Sequence, residues 1–231
     1  MTLVTPMRTL NTSIMLPANP SILFQDQRFV VLDKPAGLPV HAGPSGGPSV
    51  EDWFGLLSRR KDGPWLAHRL DADTAGCLVI ALRRTPLIAA QAAFAAGAVR
   101  KTYWAVVHGE VTTDSGTITA PLRRITGLGG WRMIVDERSG QPATTDWQVL
   151  GRANGLSWLQ LIPKTGRTHQ IRVHCAMLGA PIIGDERYGT IGGGLHLLAR
   201  AIHLPLEPPV DAMARPPPHM LAALGQCGFR G

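Results

Sequence analysis

Cysteine is scarce in this 231-residue chain and nowhere spaced for chemistry: Cys77, Cys175 and Cys227 are odd in number and form no CxxC pair. A disulfide framework and a zinc-ribbon site are therefore not expected, and buried free thiols in a reducing cytoplasm are. The histidines do not take over: His68, His169, His174, His196 and His203 show no compact ligand spacing repeated with Cys or Glu, so no metal is expected. Long apolar runs are missing too. None reaches the roughly 18 residues of a spanning helix, and the N-terminus carries Arg8 without the apolar run of a secretory signal. Membrane insertion and export are not indicated, which leaves the cytoplasm as the expected location. Lysine is rare, with 4 residues against 19 arginines.

The arginines dominate a net charge of +7. Such an excess suits a polyanionic partner, and arginine suits planar contact with phosphates and bases, although a codon preference for arginine would produce the same count. A hydrophobic content of 45% is enough for a packed core.

Periodicity predicts an α+β fold with a large, mostly antiparallel mixed sheet and a few flanking helices. Strands are expected at Phe29 to Leu32, Cys77 to Ala81, Lys101 to Val107, and near 117–121, 131–135, 144–150, 156–162 and 196–204. Ser49 with Asp52 resembles a capping box opening a helix that ends near Arg60. An Ala-rich helix should run from Thr85-Pro86 to Phe94, another, capped by Thr168, should run to Met177, and a short one from His219 to Leu224. Residues 1–21 read as a flexible tail, and 22–231 as one catalytic domain with a Pro-rich segment at 205–218. Neither a repeat nor a dividing linker is visible.

Two stretches carry chemistry. His68-Arg69-Leu70-Asp71 and the residues to Gly76 form a charged turn leading into a buried strand, which holds an acid rigidly enough to act as a nucleophile. Turn aspartates also serve merely to accept backbone N–H bonds, and Asp71 alone does not decide between the two. Gly166-Arg167-Thr168-His169-Gln170-Ile171-Arg172-Val173-His174 gathers basic and amide groups at a helix N-terminus that favours anions. Arg172 falls on the face that could reach Asp71, leaving Arg167 and Gln170 free for a polyanion.

Together with Asp33-Lys34-Pro35-Ala36-Gly37, Lys101-Thr102-Tyr103 and Gly179-Ala180-Pro181-Ile182-Ile183-Gly184-Asp185, in that order, these stretches resemble the RluA family of RNA pseudouridine synthases. Ala75, where the family usually has Ser, and Cys77, where a larger aliphatic is common, depart from its pattern. The resemblance implies isomerisation of a uridine in a ribosomal or transfer RNA stem-loop, with no cofactor. It implies Asp71 as nucleophile, Arg172 as its ion-pair partner, Tyr103 stacking on the uracil and assisting at C5, Ile171 packing on the base, and Arg69 filling the gap left by a flipped uridine. Lys34, Lys101, Arg167 and Gln170 would touch the RNA backbone, with His68 grouped among the substrate contacts. A monomer is expected, and the short lead before residue 22 leaves no room in this sequence for the S4-type domain some members carry. A silent RNA-binding module or ribosomal RNA chaperone, and more remotely an Asp-nucleophile glycosidase, are the competing classes; the latter needs a second carboxylate about 5 Å from the first.

Overall fold

The computed structural model describes residues 19–43, 46–127, 130–190 and 192–231. The tail expected over residues 1–21 falls almost wholly outside them. In chain order the elements are β1 (Ile22–Gln25), β2 (Phe29–Lys34), a 3-10 turn at Val50–Trp53 continuing as α1 (Phe54–Leu57), β3 (Trp65–Leu66), β4 (Ala75–Ala81), α2 (Arg84–Ala95), β5 (Arg100–His108), β6 (Ser115–Thr119), β7 (Leu122–Gly127), β8 (Gly130–Val135), β9 (Thr144–Ala153), β10 (Leu156–Pro163), α3 (Gln170–Met177), β11 (Leu197–Leu204), β12 (Val210–Met213) and α4 (Pro218–Gln226).

Ten strands form one sheet in the order β1-β2-β4-β11-β5-β10-β9-β6, with β3 added to β4 and β12 to β11. Every pairing in it is antiparallel except β4 with β11. All seven residues of β4 are buried, as a strand covered on both faces requires, whereas β10 buries every second residue. β7 and β8 form a separate hairpin.

The register places four positions of four strands in a row. Lys34 of β2 lies opposite Gly76 of β4, Gly76 beside Ala199 of β11, and Ala199 opposite Tyr103 of β5. Gly76 makes this row possible: its φ is +105°, and a Cβ there would sit 2.3 Å from the Ala199 carbonyl oxygen. Helix α3 lies between sheet and hairpin. Ile171 and Cys175 join the sheet-side cluster with Ala105, Leu159 and Leu161, while Val173 packs with Leu122 and Met133 of the hairpin. Arg172 is thereby turned towards neither apolar layer.

Several boundaries differ from expectation. The helix after Ser49 closes with Asp52 accepting the Ser49 N–H at 3.0 Å, but its first turn is 3-10 and it stops at Leu57 rather than near Arg60. Helix α3 begins at Gln170 with His169, not Thr168, at its N-cap, because His169 is left-handed (φ 53°) and cannot continue the helical path. Strand β12 lies inside the Pro-rich segment: Val210 to Met213 pair with Leu204 to Ala201, and no proline falls among them.

Candidate active site

Asp71 sits on a turn that is braced from below. Thr74 N–H returns to the Asp71 carbonyl at 3.2 Å. The buried Lys34 Nζ donates to the carbonyls of Pro35 (2.8 Å), Leu38 (2.8 Å) and Ala72 (2.7 Å). Burial lowers this ammonium to about 7, with Asp73 and Asp71 opposing the shift, and the three acceptors match the three N–H bonds of its charged form. Lys34 is thus a brace for the turn rather than the backbone contact expected. His68 likewise secures the turn: its Nε2 accepts the Val79 N–H at 3.1 Å and its ring lies 4.9 Å from Phe94. Burial, with Lys101 nearby, brings its pKa down to about 4, so it offers no positive charge at neutral pH.

Asp71 forms part of the wall between two cavities. One is a pocket of about 320 Å³ bounded by Tyr103, Ile171, Lys101 and Leu197; the other is a cleft of about 980 Å³ edged by Arg69, Arg132, Arg187 and Trp131. Asp71, Arg69, Leu70, His169 and Arg172 line both. Burial raises the Asp71 pKa, while Arg172 and Arg69 hold it down and Asp73 adds to the rise.

Arg172 does not take Asp71 as its direct partner. Its Nε and Nη2 bind both oxygens of Asp185 at 2.8 and 2.7 Å, a bidentate pair in which Arg172 is 6% and Asp185 1% exposed. Asp185 lies in the loop after Ile183 and also accepts the N–H groups of Arg187 and Tyr188 at 3.0 and 3.1 Å. Burial alone would raise the Asp185 carboxyl, but Arg172 and these bonds bring it below its ordinary value. Arg172 acts on Asp71 through its charge. A guanidinium buried on a helix needs an anion fixed beside it, and Asp185 supplies one that does not have to react.

Of the remaining expected contacts, Tyr103 floors the pocket; burial and then Asp71 push its phenol up, so it keeps its proton at neutral pH. Ile171 lines the same pocket and is 6% exposed. Lys101 lies at its edge, with Nζ 3.3 Å from the Thr165 carbonyl. Arg69 is exposed and, among the described residues, its side chain makes no hydrogen bond or ion pair, its backbone meeting His68. Arg167 is exposed, with Nε on the Pro142 carbonyl at 3.1 Å. Gln170 is not free for a polyanion. It is 3% exposed, its amide oxygen accepts from Thr165 Oγ1 (2.7 Å) and Arg167 N–H (3.0 Å), and its amide nitrogen donates to the Thr144 carbonyl (3.0 Å) and Thr145 Oγ1 (2.9 Å). It ties the loop before α3 to β9.

The sequence reading gave no role to Asp185, Tyr188, His169 or Trp131. Asp185 was discoverable in principle, since a buried arginine requires a carboxylate and Gly184-Asp185 stood in the matched stretch. Nothing in spacing links Trp131 to His169, whose rings lie 4.9 Å apart at 32°. Trp131 also has the Arg124 and Arg187 guanidiniums 4.6 and 4.8 Å from its ring, and its carbonyl accepts from Arg187 Nη1, fastening the hairpin to the cleft wall. Among the described residues, no group of three or more His, Cys, Asp or Glu is arranged to hold a metal, and no helix is long and apolar enough to cross a membrane.

The mixed sheet and its flanking elements are the fold of pseudouridine synthase domains: human RNA Pseudouridylate Synthase Domain Containing 4 matches with a TM-score of 0.76 and 28% identity over 90% of this chain and 92% of that one, and human RNA Pseudouridylate Synthase Domain Containing 1 with 0.71 and 28% over 87% and 86%. A family model described as RNA pseudouridylate synthase matches residues 28–177. A protein from Zymomonas mobilis described as an uncharacterized RNA pseudouridine synthase is 41% identical over 172 residues, 73% of this chain and 78% of its own length. Ribosomal large subunit pseudouridine synthase C of Buchnera aphidicola is 36% identical over 168 residues, 73% of this chain and 54% of its own length. The chain belongs to the RNA pseudouridine synthases, an isomerase family, and within it to the RluA group. It spans only a little over half the length of the Buchnera relative.

Proposed function

We propose that this chain converts one uridine of large-subunit ribosomal RNA to pseudouridine in the cytoplasm, with Asp71 as the nucleophile. The observation that carries the reading is the place of Asp71 on the wall common to an aromatic-floored pocket and an arginine-edged cleft. The choice of ribosomal RNA follows relatives from Buchnera aphidicola and Yersinia pestis that are named for the ribosomal large subunit.

In this reading the RNA lies along the cleft, where Arg132 and Arg187 meet its phosphates. The target uridine leaves its stack, a step costing a few kcal/mol and least in a loop, and enters the smaller pocket. Arg69, exposed and bordering both spaces, fills the vacated position. Uracil lies against Tyr103 and Ile171. The ionised Asp71 attacks the nucleoside, the N1–C1′ bond breaks, the base turns, and C5 bonds to C1′ as the bond to Asp71 breaks and frees its carboxylate. The C5 proton is then lost by way of the Tyr103 hydroxyl beside it, while N1 takes up a proton. Because burial opposes ionisation of Asp71, the acidic limb of the rate profile is expected above the ordinary aspartate range, restrained by Arg172 and Arg69.

The test is tritium release from ribosomal RNA labelled at uridine C5. Asp71→Asn keeps the shape of the side chain without the nucleophile, so turnover should fall below about a hundredth of wild type with RNA affinity within a few fold. Activity above that level would remove Asp71 from the role.

A further inference from the structure

The reaction just described gives His169 no part, yet its ring is fixed on every side. The residue is left-handed at φ 53°, a strained conformation for a residue that is neither Gly nor Asn, and it is 8% exposed. Nδ1 lies 2.8 Å from Tyr188 Oη, which accepts the Met133 N–H of β8 at 2.9 Å. Trp131 of the same strand lies against the ring. Nε2 sits between two charged groups, 3.4 Å from Arg172 Nη1 and 3.8 Å from Asp71 Oδ2.

Burial, followed by the Arg172 and Arg187 charges, brings the His169 pKa down to about 4, so the ring is neutral at pH 7 and has one N–H. Arg172 donates Nε and Nη2 to Asp185, and Nη1 points at His169 Nε2. Accepting that bond puts the imidazole proton on Nδ1, where it donates to Tyr188 Oη, whose two lone pairs then serve His169 and Met133.

We propose that His169 is a positioning residue: by holding Arg172 Nη1 it keeps the guanidinium from closing onto Asp71, leaving a carboxylate that is stabilised by a nearby cation but free of its hydrogen bond. This rests on Asp71 being the nucleophile. A carboxylate clamped by arginine is well ionised and poorly reactive, because the lone pairs that must attack are already shared. Five other groups face the acid: Arg172 from α3, Arg69 and Asp73 from its own turn, Lys34 from β2 and Tyr103 from β5. Of these, Arg172 is the cation that His169 restrains directly. Since Met133 and Trp131 hold the far side of the imidazole, the arrangement also makes the spacing of Asp71 and Arg172 depend on how the hairpin is seated.

His169→Asn tests this, because Asn tolerates the left-handed backbone and its shorter amide can meet Tyr188 but not the Nε2 position. The expected result is a fall in kcat of about tenfold or more with KM and RNA affinity within about twofold. The acidic limb of kcat should move to lower pH, as Arg172 Nη1 reaches Asp71 and favours its ionised form. Arg172→Met should move the limb the other way. Should His169→Asn lose its circular-dichroism signature of folding, Tyr188→Phe leaves the Nδ1 proton unpaired, permits the other tautomer, and must show the same downward shift. Unchanged kcat and pH limb in the folded variant, or a limb displaced upwards, overturns the proposal and leaves His169 a peg for the hairpin. Asp71→Asn run alongside separates the two readings: if it is inert while His169→Asn is normal, only the positioning role fails, and if Asp71→Asn is active the nucleophile assignment itself fails.

Discussion

The two cavities that share the Asp71 wall are built from opposite materials. The pocket of about 320 Å³ is set in the sheet: Tyr103 comes from a central strand, Ile171 and Leu197 are buried, and the basic side chains around it are largely held by the protein itself. Its neighbour His68 is neutral, and Gln170 is fully engaged in hydrogen bonds. The cleft of about 980 Å³ is edged by Arg69 and Arg132, exposed and mounted on a turn and on a two-stranded hairpin. Packed surroundings suit bond-making, and exposed cations suit phosphate recognition, where each contact is weak and several add up. In the proposed function the pocket side of Asp71 takes the chemistry and the cleft side the recognition.

Three further changes bear on that division, ordered by expected effect. Tyr103→Phe removes one hydroxyl from the pocket floor and preserves the ring; turnover should drop about a hundredfold, with RNA affinity held, if the hydroxyl takes part in proton transfer. Single-turnover rates on labelled RNA give the answer, and a fully active variant would reduce Tyr103 to a stacking surface. Asp185→Ala acts beneath both cavities. It leaves Arg172 buried without its counter-ion and frees the N–H groups of Arg187 and Tyr188, so it should cost about 3–5 kcal/mol of stability, read in a urea titration as a lower midpoint with little change in slope. In the wild type the Asp185 carboxyl lies below its unfolded value, so its stabilisation is present above the ordinary aspartate range and is lost as pH falls through the folded value. Acid sensitivity should accordingly be blunted in the variant. The smallest effect is expected from Arg132→Ala on the exposed hairpin: affinity weaker by a few fold and a log–log salt slope shallower by about one phosphate contact, with kcat for bound RNA unchanged. A fall in kcat there would show that the cleft is not purely a recognition surface.

Much of the fold could be read directly because the strands obey simple patterns. The apolar run from Cys77 to Ala81 and the alternation in Lys101 to Val107 are local signals, and both strands lie where they were expected. β1, β3 and β7 escaped notice, and β12 was masked by the prolines around it: β1, β3 and β12 have only four, two and four residues, too few to show an alternation, and β7 is largely exposed and carries no apolar alternation. The site was legible as a set of positions but less so as a set of bonds. Asp71, Tyr103 and Arg172 do converge on the smaller pocket. The direct pairing of Arg172 with Asp71 was not found, since a helix face predicts which way a side chain points but not which of two carboxylates will meet it. Lys34 and Gln170 looked like polar groups available to RNA, and tertiary packing has enclosed both. Their types could not reveal this: a lysine with three carbonyls around it and an amide with four partners are products of the completed turn and loop.

The parallel contact of β4 with β11 bears on the order in which the protein can come into being. Leu198 and Ala199 pair with Ala75 and Gly76, and the adjacent Cys77 and Arg200, joined by a contact from the thiol to the Arg200 carbonyl, are 123 residues apart in sequence. The row from Lys34 to Tyr103 has Ala199 as a member, so the Asp71 turn and the pocket floor acquire their mutual spacing only after β11 has been synthesised and inserted between β4 and β5. Closure over such a long loop is slow relative to helix and hairpin formation. A chain made only as far as β10 therefore carries the turn before β4, with its acid, and the tyrosine of β5 on either side of a lane that β11 has yet to fill.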